Sequence, residues 1–95
     1  MVEHGALMHE PGDDVAVAIA DLSKGTQVRM VTIEGEEVGT LRVIEDIPLG
    51  HKFATRDIAQ GKEVIKYGRM IGTATRAIPR GAHAHTHNIK SVRWA

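Results

Sequence analysis

A chain of 95 residues without cysteine allows one domain, burying roughly 60 to 65% of its unfolded surface; it excludes a disulfide framework, a thiolate nucleophile and any Cys-based zinc or iron–sulfur site. One Phe, one Tyr and one Trp leave the core to aliphatic residues, and a single small core is expected. The formal net charge of zero hides an asymmetry: all twelve acidic residues lie in 1–63, whereas 64–95 hold Lys66, Arg69, Arg76, Arg80, Lys90 and Arg93 and no acid. A one-signed cluster focuses a potential for counter-ions, so the final third is suited to a carboxylate, a phosphate or an acidic partner chain.

No apolar run approaches the roughly 18 residues of a membrane span, and no charged start leads into an apolar signal core. The expectation is a soluble, cytoplasmic chain with no membrane contact. The reducing cytoplasm also suits the lack of cysteine.

In chain order, residues 1–8 have no clear period and read as a flexible lead-in to a domain that fills the rest of 1–95. Glu10-Pro11-Gly12-Asp13-Asp14 is a turn, because Pro presets one dihedral, Gly accepts positive φ and Asp bonds nearby amides. Val15 to Ala20 alternates β-branched residues with alanine, as a strand covered closely on one face does. Val28 to Ile33 and Val38 to Glu45, split by Glu34-Gly35-Glu36-Glu37, predict a hairpin.

A four-residue pattern recurs: Leu22-Ser23-Lys24-Gly25, Ile47-Pro48-Leu49-Gly50, Ile58-Ala59-Gln60-Gly61 and Ile78-Pro79-Arg80-Gly81. Asp21, Asp46 and Asp57 precede three copies, and Ala77 the fourth. Each copy lies between strand-like runs, which predicts a single helical turn closing on a left-handed glycine, with the apolar residue plugged into the core. No stretch sustains a 3.6-residue apolar period, so the fold class is all-β: one compact domain of short strands with single-turn helical corners.

The segment Gly81-Ala82-His83-Ala84-His85-Thr86-His87-Asn88 carries three histidines at alternate positions. In extended chain His83, His85 and His87 share one face, backed by Ala82, Ala84 and Thr86. Imidazoles so presented can meet metal, anion or a partner surface. Three same-face positions span roughly 13 Å, so one ion reaches two of them but not all three without a bend. His51-Lys52, directly after Gly50, is a second candidate constellation that could direct two cations to one point.

Independent hydrolytic chemistry finds no support. Gly61-Lys62 ends like a phosphate-binding loop, but Glu63 follows where Ser or Thr should stand, and Arg56 occupies a glycine position. Neither Ser23 nor Ser91 sits in a nucleophile elbow. Nucleic-acid binding by the basic third lacks stacking aromatics.

Four motifs in order, Asp13-Asp14-Val15-Ala16-Val17-Ala18, Asp46-Ile47-Pro48-Leu49-Gly50-His51-Lys52, Val64-Ile65-Lys66-Tyr67-Gly68 with Ile71-Gly72, and His85-Thr86-His87-Asn88, resemble the SAF-type β-clip module of the altronate and galactarate dehydratase family. The resemblance runs from about His9 to Lys90, and it departs from the family's usual Asp-Asn-Val-Ala by carrying Asp14 for Asn. It implies either the N-terminal domain of a long dehydratase or a separate small subunit beside a large one, the latter as in the alpha subunit of sulfolactate sulfo-lyase.

The implied function is that of an accessory lyase subunit, inactive alone: β-elimination of water from a sugar acid, with C–S cleavage of (2R)-sulfolactate as the alternative. A non-catalytic carbohydrate-binding or ice-binding β-clip module is the reading from another class, although Thr73, Thr75 and Thr86 are too few for a flat threonine array. The expected catalytic residues are His85 and His87, and the expected substrate-binding residues are His51, Lys52, Asn88 and Lys90. A divalent metal, iron or similar, belongs on this reading to the partner large subunit, with none assigned to this chain. The expected partners are that subunit and a small anionic hydroxy acid, with no nucleic acid; a homo-oligomer is also compatible.

Overall fold

The computed structural model describes residues 4–85 and 87–91. These form β1 (His4–Met8), β2 (Val15–Ala18), β3 (Gln27–Thr32), β4 (Glu37–Arg42), β5 (Lys52–Ala54), β6 (Glu63–Lys66), β7 (Arg69–Ala74), β8 (His83–Ala84) and β9 (Ile89–Ser91). The protein is all-β, and no helix occurs among the described residues. One sheet has the order β4-β3-β1-β2-β5-β8 and the other β6-β7-β9. Every strand pair is antiparallel except β1 with β3.

The hairpin of β3 and β4 forms as expected, turning through Gly35. The lead-in expected over residues 1–8 is corrected for its described part, because β1 lies inside the larger sheet between β3 and β2. Ala6 and Met8 are buried while Leu7 is exposed, a period-2 alternation too short to be recognised next to Gly5. Its parallel pairing with β3 joins residues more than twenty apart, which no local pattern announces. Met1 to Glu3 lie outside the described residues.

The single core is also corrected. One cluster holds Met8, Leu22, Val28, Met30, Leu41, Val43, Ile47 and Phe53 with three alanines; the other holds Val15, Ile58, Val64 and Ile78 with four alanines. The two share strands. On β2, Val15 faces the second cluster while Ala16 and Ala18 face the first; on β5, Phe53 and Ala54 divide the same way. Alternation along a strand buried on both faces feeds both cores, which explains the valine–alanine rhythm of 15–18.

The four corners explain the rest. Their apolar residues are 1 to 2% exposed, as expected. They are not helical turns: each is a β-bridge followed by a β-turn, and the corners pair. Leu22 and Ile47 exchange two backbone hydrogen bonds of 2.8 Å, and Ile58 and Ile78 do the same. The first pair plugs one core and the second plugs the other. In the turn Pro48 to His51 the amide of His51 donates to Pro48 O at 2.9 Å with Gly50 at φ 84°, and in the last corner the amide of Ala82 donates to Pro79 O at 3.0 Å with Gly81 at φ 88°. Positive φ at the third position is a type II turn, where glycine carries no Cβ penalty. At Gly81 a Cβ would also come within 2.6 Å of Arg42 O.

The aspartates serve the partner corner rather than their own. Asp21 accepts from Leu49 N, Asp46 from Lys24 N and Asp57 from Arg80 N, each at 2.8 Å. Ala77 holds the fourth place, whose counterpart by the same geometry is the amide of Gln60. Ala77→Asp should therefore supply the missing bond and raise stability by about 0.5 to 1 kcal/mol. A urea midpoint equal to or below that of the parent chain would refute this symmetry.

Asp13 and Asp14 tie the two sheets together. Asp14 N donates to Ile65 O and Ile65 N to Asp14 Oδ2, both at 2.8 Å, joining the start of β2 to β6. The Asp14 carboxylate, almost fully buried, also meets Arg56 and Lys62 at 3.4 Å. That charge is thus answered by two cations. The buried Asp13 carboxylate accepts from Tyr67 N at 2.9 Å and Gly68 N at 3.4 Å through one oxygen, and from His9 N at 3.2 Å and Glu10 N at 3.3 Å through the other. Tyr67 and Gly68 both have positive φ, the turn that joins β6 to β7 in two residues.

Candidate functional site

Two corners deliver the candidate residues. The turn at Gly50 starts β5 with His51 before Lys52, and the turn at Gly81 starts β8 at His83. β5 and β8 then pair antiparallel, Phe53 opposite His83 and Lys52 opposite Ala84, so two segments more than thirty residues apart bring their histidines together on the edge of the larger sheet. His51 Nδ1 lies 2.9 Å from His83 Nε2. The ring centroids of His51 and His85 are 4.6 Å apart and those of His83 and His85 5.6 Å, the latter two rings stacked and nearly parallel at 10°.

The extended histidine row is corrected in one respect. β8 ends at Ala84, and the chain turns, with Asn88 N and Ile89 N donating to His85 O at 3.0 and 2.9 Å. The bend draws His85 back over His51. His87, expected to work beside His85, instead approaches His83 at 5.2 Å and lines a groove of about 450 Å³ with Lys24, Glu45 and Arg76. Thr86, placed by the row on the opposite face, lies outside the described residues, as does Arg93.

Asn88 does not face the surface as a substrate ligand would. It is buried, its Oδ1 accepts from His85 N at 2.9 Å, and its Nδ2 donates to His83 O at 2.8 Å. Both ends of the amide thus hold the backbone of the two histidines. Lys90 stands exposed on β9 of the smaller sheet, opposite Thr73. No hydrogen bond or ion pair joins it to a histidine among the described residues.

His83, which the sequence placed in the row without a role, is the ring that His51, His85 and His87 all approach. Its amide donates to Glu45 Oε1 at 2.7 Å, so Glu45 is a second residue the sequence did not single out. The alternate spacing of 83, 85 and 87 was the available signal for His83, whereas nothing local marked Glu45.

The electrostatics follow from crowding. Desolvation, then the neighbouring imidazoles of His87, His51 and His85, hold His83 below the ordinary imidazole range, against a smaller upward pull from Glu45. His85 is held low by desolvation and then by His51, Lys52 and His87. Lys52, half-buried, is lowered by desolvation and by Lys66. Each shift favours the neutral form, which for imidazole is the form that accepts a proton or ligates a metal. One nitrogen from each of His51, His83 and His85 lies within 4.8 Å of the other two, so among the described residues this trio, with His51 in place of His87, could hold a metal ion. Among the described residues none of the ion pairs uses Lys66, Arg69, Arg76, Arg80 or Lys90, so the basic third is not cancelled by direct pairing.

Residues 4–92 match the family described as the altronate/galactarate dehydratase SAF domain. An altronate dehydratase of Escherichia coli K12 is 49% identical over 79 residues, which cover 83% of this chain but 15% of that protein. A (2R)-sulfolactate sulfo-lyase subunit alpha of Chromohalobacter salexigens is 34% identical over 89 residues, covering 93% of this chain and 95% of that subunit. A galactarate dehydratase (L-threo-forming) of Escherichia coli K12 is 48% identical over 58 residues, 56% of this chain and 11% of that enzyme. The chain therefore spans about a seventh of the dehydratase and nearly the whole of the sulfo-lyase subunit. No helix of the described residues is long and apolar enough to cross a membrane. On the family match along almost its entire length, the chain belongs to the altronate/galactarate dehydratase SAF-domain family.

Proposed function

We propose that this chain acts as the small subunit of a hydroxy-acid lyase and that its histidine–lysine surface binds the carboxylate end of the substrate at the junction with a large, metal-bearing subunit. The observation that carries the proposal is the meeting of His51, Lys52, His83 and His85 on one accessible sheet edge. The favoured reaction is elimination of water from a sugar acid of the altronate or galactarate type, in line with the 49% identity to altronate dehydratase. In such a reaction a base removes the proton on the carbon next to the carboxylate, and the group on the following carbon departs.

His85, whose basicity is lowered by desolvation and the neighbouring His51 and Lys52, is suited to take that proton, while Lys52 offers the carboxylate a hydrogen-bond donor. His87, over the groove with Lys24 and Arg76, is suited to the far end of a long substrate. A second reading is C–S cleavage of (2R)-sulfolactate, favoured by the 95% coverage of a sulfo-lyase alpha subunit. It needs the same proton removal, with sulfite as the leaving group.

The test is reconstitution with a large subunit encoded beside this chain. The mixture should turn over substrate when neither part does so alone, and His85→Ala should lower kcat by about 100-fold or more, with Lys52→Ala acting mainly on KM. Turnover by this chain alone, or full activity in the mixture after loss of both His85 and His87, would overturn the proposal. Release of sulfite rather than a dehydrated keto acid decides between the two reactions.

A further inference from the structure

We propose that His51, His83 and His85 form a three-imidazole site for a divalent transition metal on this chain itself, with open coordination positions facing the surface. The geometry is that of a site needing little movement. Two nitrogen ligands bound to one metal at about 2.0 to 2.1 Å stand roughly 2.9 to 3.4 Å apart in cis octahedral or tetrahedral arrangements. His51 Nδ1 and His83 Nε2 are 2.9 Å apart, and the third ring offers a nitrogen no more than 4.8 Å from either. A rotation of the His85 side chain, whose ring already lies 4.6 Å from that of His51, closes the remaining gap.

The positions are held by the backbone. His83 lies in the β5–β8 ladder with its amide on Glu45, and Asn88 clasps both His83 O and His85 N. Such outer partners orient metal ligands and fix their approach. The donor set contains imidazole only, which selects zinc, iron, cobalt, nickel or copper over magnesium or calcium. Three neutral ligands leave the metal's two positive charges uncompensated and its remaining positions open, as in catalytic rather than structural sites. An anionic oxygen ligand, above all a 2-hydroxy carboxylate chelating through both oxygens, completes it, with Lys52 alongside; a metal bound here engages the His85 lone pair, so in the metal-loaded chain proton removal falls to another group and His85 serves as a ligand.

This inference rests on the reading of the same surface as a substrate site, but its test uses metal alone. The purified chain is stripped with a chelator and titrated calorimetrically with Zn²⁺, and separately with Co²⁺ while its visible absorption is followed. The expected result is one metal per chain, a cobalt spectrum with nitrogen ligation, and no displacement by excess Mg²⁺. His51→Ala and His85→Ala, each shown folded by circular dichroism, should weaken binding by on the order of 100-fold or more, beyond the 10-fold to 100-fold typical of losing an outer partner. His9→Ala, at a histidine whose ring lies tilted against Tyr67, should leave it unchanged. Absence of stoichiometric binding, wild-type affinity in His51→Ala, or an equal loss in His9→Ala would overturn the site. Failure here with intact substrate binding in the reconstituted enzyme removes the metal and leaves the lyase reading in place.

Discussion

Asp13→Ala should cost this domain roughly 3 to 4 kcal/mol, a large part of the roughly 5 to 14 kcal/mol that 95 residues commonly supply. One buried carboxylate accepts from four backbone amides, two ahead of it in His9 and Glu10 and two in the β6–β7 turn at Tyr67 and Gly68. Removing it leaves all four donors to find water or remain unpaired, and it releases a turn in which Tyr67 already sits at φ 59°. Asp13→Asn should lose less than Asp13→Ala, since one carbonyl oxygen still accepts while its amide group turns donors toward donors. Urea denaturation measures both. A loss under about 1 kcal/mol in the alanine variant would mean that water replaces the carboxylate and that the junction is held by the backbone ladder instead.

Phe53→Ala should destabilise by about 3 to 5 kcal/mol, the range for deleting a fully enclosed aromatic side chain. Phe53 has no exposed surface and is the largest side chain of the first core, in a protein with three aromatic residues. Its effect should reach the candidate site, because it stands two residues after His51 and pairs directly with His83 across β5 and β8. Phe53→Leu, keeping most of the volume, should recover much of the stability. If thermal unfolding of Phe53→Ala is shifted by no more than that of a surface substitution, the cavity must collapse and the assignment of Phe53 as the core's anchor is mistaken.

Both residues show why the sequence was informative about some features and silent about others. The all-β class was legible because alternation, glycines in turns and the lack of a 3.6-residue period are local properties. The repeated apolar-x-x-Gly corners were legible as corners with buried apolar heads. Their pairing was not, because Leu22 with Ile47 and Ile58 with Ile78 exchange hydrogen bonds across twenty or more residues. Read singly, a corner with an aspartate in front and a left-handed glycine behind looks like a helix end, and only its partner makes it a bridge.

The site divides the same way. The run from 83 to 87 and the pair 51 and 52 were each visible, yet an extended chain put His83, His85 and His87 together and left His51 elsewhere. The observed group exchanges His87 for His51, since Asn88 bends the chain at His85 and β5 brings His51 to β8. Asn88 was expected to bind substrate on the strength of the family resemblance; its side chain is buried and bonded to the backbone of His83 and His85.

By itself, then, the order of residues determined the secondary-structure class, the turn positions, the family and the histidine-bearing segments, all of which depend on chemistry within a few neighbours. Tertiary structure alone decided that β1 is an inner strand, that the core is double, and which imidazoles meet. Those outcomes rest on strand pairings between distant segments, and such pairings are selected by the burial of whole faces rather than by any short stretch of chain.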